Sequence, residues 1–218
     1  MKPKKLKNLI NRTRSALRWR IIEQTHNQDT IEIVSDRTER THTILTPANP
    51  SPQNPLRDIE YLHELAHATL CETVHPVFST HYFAADTPAE DIRTLTPIVR
   101  AASDWFADQW LMEHCPELER AEIEEHYELA MAALRRASGP VEAEVLYGTA
   151  LMIAQGIKYL SKLNNTGGQL RDVVNAFLSV RTEKPTAKKM EFLINSLASP
   201  YTNLRVILGS SANWHIRR

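Results

Sequence analysis

Two histidines four residues apart, with a glutamate directly after the first, are the residues best suited to chemistry: His63-Glu64-Leu65-Ala66-His67. On an α-helix, positions i and i+4 share a face, about one turn apart. Two imidazoles placed this way can bind one metal ion, and Zn²⁺ suits such a pair. Glu64 lies about 100° round the helix from His63. That takes it away from the ligand pair and lets it act as general base on a coordinated water. With nine histidines in 218 residues, chance supplies the three fixed positions only ~0.03 times per chain.

Two protein ligands are one short of the three that a catalytic zinc takes. The longer pattern with a glycine and a third histidine fails, because those positions hold Leu70 and Thr73. The loop after the motif offers His75, His81, Asp86 and Glu90, and the next helix offers Asp104 and Asp108. Asp104 is favoured. It sits in Ala101-Ala102-Ser103-Asp104-Trp105-Phe106-Ala107, a stretch apolar on most sides. A lone carboxylate there is expensive, and a metal removes the cost. Pairing with Arg100, one turn earlier, is the competing arrangement. Asp108, one turn later on the same face, can hydrogen-bond a ligand histidine and fix its tautomer. His75, His81 and Tyr82 could donate to a developing oxyanion or be ordinary loop residues.

A HELAH helix followed tens of residues later by an acid-bearing helix resembles the zincin metallopeptidases of the gluzincin type. There the third ligand is a glutamate in ExxxD. Asp104-x-x-x-Asp108 has that spacing, with aspartate in the first place. Ser103–Ala107 with Leu111-Met112 also resembles the A-N-x-F-A-x-x-L-L-M helix of the ImmA/IrrE-like metallopeptidases. In that register the family's glutamate falls on Arg100, so the acid has moved one turn or lies elsewhere. The resemblance covers residues 54–113. It implies a cytosolic zinc peptidase acting on a protein or peptide substrate, with a regulatory protein as a further partner. His63, His67 and Asp104 would hold Zn²⁺, and Glu64 would be the general base. The alternative is a zincin-fold regulatory or binding module without turnover, to which Arg100 points.

The elements that must position these residues read as α+β. A short amphipathic helix is expected over 5–18. Strands follow at 19–23 and 30–34, joined as a hairpin through His26-Asn27-Gln28-Asp29, with a third at 41–45. The sheet is expected to be small, antiparallel and packed on the HExxH helix. Its edge strand, containing His42, would pair with an extended substrate. Asn54-Pro55 signals a helix start. That helix would run to Cys71 and turn Leu56, Ile59, Leu62, Ala66 and Leu70 to the core. A loop of roughly twenty residues leads to a helix from Pro97 to His114. Everything later reads as helical: 117–137, 141–163, 169–181 and 186–198. This suggests a zincin-like core over 1–114 and a helical subdomain over 115–218.

Composition narrows the class. Lys+Arg and Asp+Glu are 26 each, so no bulk field attracts nucleic acid. No apolar run approaches a membrane span or follows the basic start as a signal peptide does. Two cysteines, Cys71 and Cys115, form no disulfide framework and fit a reducing, cytoplasmic setting. The basic first twenty residues and the glutamates between Glu113 and Glu128 read as solvated helix faces.

Overall fold

The computed structural model describes residues 3–49, 57–136, 142–163 and 165–218. Helix α1 (Pro3–Ala16) precedes strands β1 (Arg20–His26), β2 (Glu32–Asp36) and β3 (Thr41–Pro47). Helix α2 (Arg57–Thr73), a 3-10 turn (Pro76–Phe78) and the long helix α3 (Ala89–His114) follow. Helices α4 (Pro116–Arg136), α5 (Ala143–Leu160), α6 (Gly168–Leu178) and α7 (Ala187–Ala198) build the later mass. Strands β4 (Arg205–Leu208) and β5 (Trp214–Arg217) close the chain. The fold is α+β, with a three-stranded sheet near the N-terminus and a mostly helical remainder.

The sheet is not antiparallel throughout, and β1 and β2 do not form a hairpin. β3 lies between them, parallel to β1 and antiparallel to β2. The tight turn is one element later than the composition suggests. Asp36 Oδ1 accepts the backbone N–H groups of Thr38 at 2.8 Å and Glu39 at 3.0 Å. Arg40 then takes a left-handed φ of 51°. This aspartate-stabilised turn joins β2 to β3, while residues 27–31 step across the place that β3 fills. His42 is therefore on the central strand, not an edge. It is fully buried, with Nδ1 2.7 Å from Ser35 Oγ and Nε2 3.0 Å from Glu72 Oε1.

Helix α2 carries acids in its first turn, Asp58 and Glu60, where the helix dipole favours them. Ile59, Leu62, Ala66 and Leu70 are buried, as are Leu65, Ala68 and Cys71. Leu62 and Leu65 share a cluster with Ile44 of β3 and Leu6 and Leu9 of α1. Leu70 belongs to a larger cluster with Phe78, Trp105 and the late helices. The Asn54-Pro55 start and Leu56 lie outside the described residues.

Two further expectations are corrected. Helix α3 begins at Ala89 and carries Pro97 inside it, so the preceding loop is shorter than the proline suggested. The end of the chain is not wholly helical, since β4 and β5 pair antiparallel. That hairpin braces the segment between the 3-10 turn and α3. Trp214, fully buried, donates its backbone N–H to Tyr82 O at 2.8 Å, and its backbone carbonyl accepts from Ala84 N–H at 2.9 Å. Arg218 pairs with the buried Asp91 of α3 at 3.0 Å. Among the described residues, no helix is long and apolar enough to cross a membrane.

Candidate metal centre

One turn of α2 and one turn of α3 meet face to face. His63 Nε2 and His67 Nε2 are 3.0 Å apart. Asp104 Oδ1 stands 3.3 Å from His67 Nε2 and 3.8 Å from His63 Nε2. Tetrahedral ligands at ~2.0–2.2 Å from one ion sit ~3.4 Å from each other. The three atoms thus surround a single point at the right spacing for a metal ion. Among the described residues, this is the group of His, Cys, Asp and Glu able to hold one.

The far side of each ring fixes its tautomer. His67 Nδ1 is 2.7 Å from the carbonyl of Phe78, which can only accept. Nδ1 therefore carries the hydrogen, and the Nε2 lone pair faces the metal point. Ser103 Oγ donates to the same carbonyl at 2.9 Å and helps hold it in place. His63 Nδ1 stands 3.0 Å from Asp108 Oδ1. Gln155 of α5 donates to the other carboxylate oxygen of Asp108. Asp108 thus stands where a group that orients His63 would stand. Phe78, Ser103 and Gln155 had no signal in the sequence, because a backbone acceptor or a lone polar residue on a helix has no diagnostic spacing.

Charge follows this geometry. Burial opposes a proton on either ring, yet hydrogen bonds donated to Asp104 and, for His63, to Asp108 raise both imidazoles above their ordinary range. Burial likewise works against the Asp104 carboxylate, but its bonds to His63 and His67 hold it well below the usual range. A metal ion at this point would take over the positive charge that the protonated rings otherwise supply.

Glu64 accepts the Ile33 N–H of β2 at Oε2, 2.9 Å away. Burial raises its carboxyl above the ordinary range, and the His67 and His63 charges oppose that rise. It borders an open groove of about 390 Å³ together with His67, Asp104, the Glu32–Val34 end of β2 and His81. His81 has a buried Nδ1 without a hydrogen-bond partner, and burial pushes the ring down to about 4. His75 caps the 3-10 turn by accepting the Val77 N–H, and Asp86 and Glu90 are exposed. None of these four belongs to the converging group.

The glutamates of α4 are not all a solvated face. Glu119 is 2% exposed and Glu122 is half-buried. Burial, then the charges of Asp108 and Glu122, push the Glu119 carboxyl up to about 9. Unfolding returns it to the ordinary range near 4.5. Below that pH both states are protonated and the group costs nothing. As pH rises from there towards 9, the unfolded chain sheds its proton while the folded one keeps it, so stability falls. Glu119→Gln should therefore stabilise the protein at pH 7, with a ceiling on the order of 3 kcal/mol. Thermal unfolding of both proteins at pH 5 and pH 8 checks this. The gap should widen with pH, and an equal gap at both values would refute it.

No family model matches the chain, nor does any curated protein or solved structure.

Proposed function

We propose that the protein is a zinc-dependent peptidase that hydrolyses a protein or peptide substrate in the cytosol. The observation that carries this reading is the convergence of His63 Nε2, His67 Nε2 and Asp104 Oδ1 within 3.0–3.8 Å. Two imidazoles and a carboxylate are the nitrogen and oxygen donors that catalytic zinc takes, with one position left open. Bound there, zinc supplies Lewis acidity towards a carbonyl and makes a coordinated water acidic near neutral pH.

The chain's own residues do the rest. Asp108 and the Phe78 carbonyl keep both rings aimed. The Ile33 N–H fixes one oxygen of Glu64, which leaves the other free to take a proton and later pass it to the leaving amine. The buried carboxyl, raised above its ordinary range, is a better-matched base than a solvated one. The groove beside β2 receives the substrate. Pairing along the whole strand would displace groups already there. Ser35 N–H donates to Thr80 Oγ1 at 2.6 Å, and Tyr82 OH donates to Ser35 O at 3.1 Å. The substrate therefore engages the Glu32–Val34 end, and His81, a neutral ring, forms part of the same groove wall. The two cysteines, free and buried, suit the cytosol.

The test is hydrolysis of an unfolded protein by the zinc-loaded chain, followed by mass spectrometry. Cleavage should vanish with a chelator and return with zinc. Cleavage that survives complete metal removal would end the proposal. Metal binding without any cleavage would favour the reading as a regulatory or binding module.

A further inference from the structure

Behind the His63 side of the centre lies a second hollow, of about 140 Å³. His63 and Asp104 form part of its wall, while His67 and Asp104 border the groove. Asp104 thus stands in the wall of both spaces. Helix α4 contributes Glu119, Glu122, Ile123 and His126, at positions i, i+3, i+4 and i+7 of one face.

The polar groups of this hollow are not balanced. Asp108 is engaged at both oxygens, by His63 and by Gln155. Glu119 is not. It is 2% exposed, and its Oε2 has no hydrogen-bond partner among the described residues. A buried carboxyl oxygen without a partner is costly and marks a place where a donor is missing. Glu122 lies one turn further along the same wall. Among the described residues, no lysine or arginine lines the space.

The missing donor is not a bare metal ion. Among the described residues, the acids here form no converging group like His63, His67 and Asp104. The walls instead combine carboxyl groups with Leu111, Ile123, Leu151 and Met152. That mixture matches an aliphatic stem carrying a cationic head with several N–H donors.

We propose that this hollow is a subsite for a basic substrate side chain, arginine or lysine, next to the bond that is cut. The assignment rests on the peptidase reading for its place in a reaction, but the site itself can be tested without turnover. The full chain carrying Glu64→Gln, loaded with zinc, is titrated with blocked alanine pentapeptides. Their central residue is arginine, lysine, citrulline or leucine. Citrulline keeps the shape of arginine and removes the charge. The arginine and lysine peptides should bind at least about tenfold more tightly than the other two, the scale of a charge-assisted contact. Adding Glu119→Gln and Glu122→Gln should abolish that preference. Glu122→Gln alone, on a half-buried side chain, should cut it at least about threefold and serves if the combined variant does not fold.

Equal binding of the arginine and citrulline peptides would overturn the inference, and so would a preference that survives both substitutions. Cleavage by the unsubstituted chain is scored separately. Cleavage without preference for basic residues sinks the subsite and leaves the peptidase. Charge-selective binding without cleavage supports the subsite and sinks the peptidase.

Discussion

Glu64→Gln should keep its zinc and lose peptide hydrolysis by at least about 100-fold, the lower end of what a positioned general base contributes. The side chains are nearly the same shape. The amide oxygen can still accept the Ile33 N–H that now binds Glu64 at 2.9 Å, so the wall between α2 and β2 should stand. His63, His67 and Asp104 are untouched, so the donors at the metal point are unchanged. What goes is the proton acceptor, because an amide cannot take the proton that a buried carboxylate can. Metal content and the cleavage rate of an unfolded protein, measured on the same preparation, separate the two effects. Undiminished cleavage would end the role given to Glu64. Loss of zinc together with activity would make it a structural partner of the ligands instead.

The site was more legible than the frame around it, for physical reasons. A helix fixes which residues share a face, so His63 and His67 could be placed together from spacing alone. The four-residue step from Asp104 to Asp108 likewise put both carboxylates beside the two rings. Strand order has no such rule. Nothing in residues 19–47 says that β3 enters between β1 and β2. His42, expected on an edge strand, has its ring satisfied inside the sheet by Ser35 and Glu72. The four-residue strands β4 and β5 are too short to carry a period. Glu119 did leave a trace, since it falls on the same stripe of α4 as Ile123, Tyr127 and Ala130, all buried. The charge run around it hid that stripe. A glutamate on an apolar face reports more than one among its own kind.

Asp104 and Asp108 should respond to substitution in different ways, although both face the same two rings. Asp104 Oδ1 is 3.3 Å from His67 Nε2, on the side where the lone pairs converge. Asp108 Oδ1 is 3.0 Å from His63 Nδ1, on the opposite side of that ring. Asp104→Ala removes a donor to the metal and leaves two imidazoles, too few for a closed catalytic set. Asp108→Ala removes only what holds His63 in its tautomer and orientation, a change worth roughly 10–100-fold in affinity or activity. Zinc affinity, measured by competition with a chromogenic chelator, should therefore fall well beyond 100-fold for Asp104→Ala and within that range for Asp108→Ala. Asp108→Asn should lie closer to the unsubstituted chain, because an amide oxygen can still accept from His63 Nδ1 while its charge is gone. Equal losses for the two alanine variants would remove Asp104 from the ligand set. Those losses would mean that the carboxylates act together as a charged wall beside a two-histidine site.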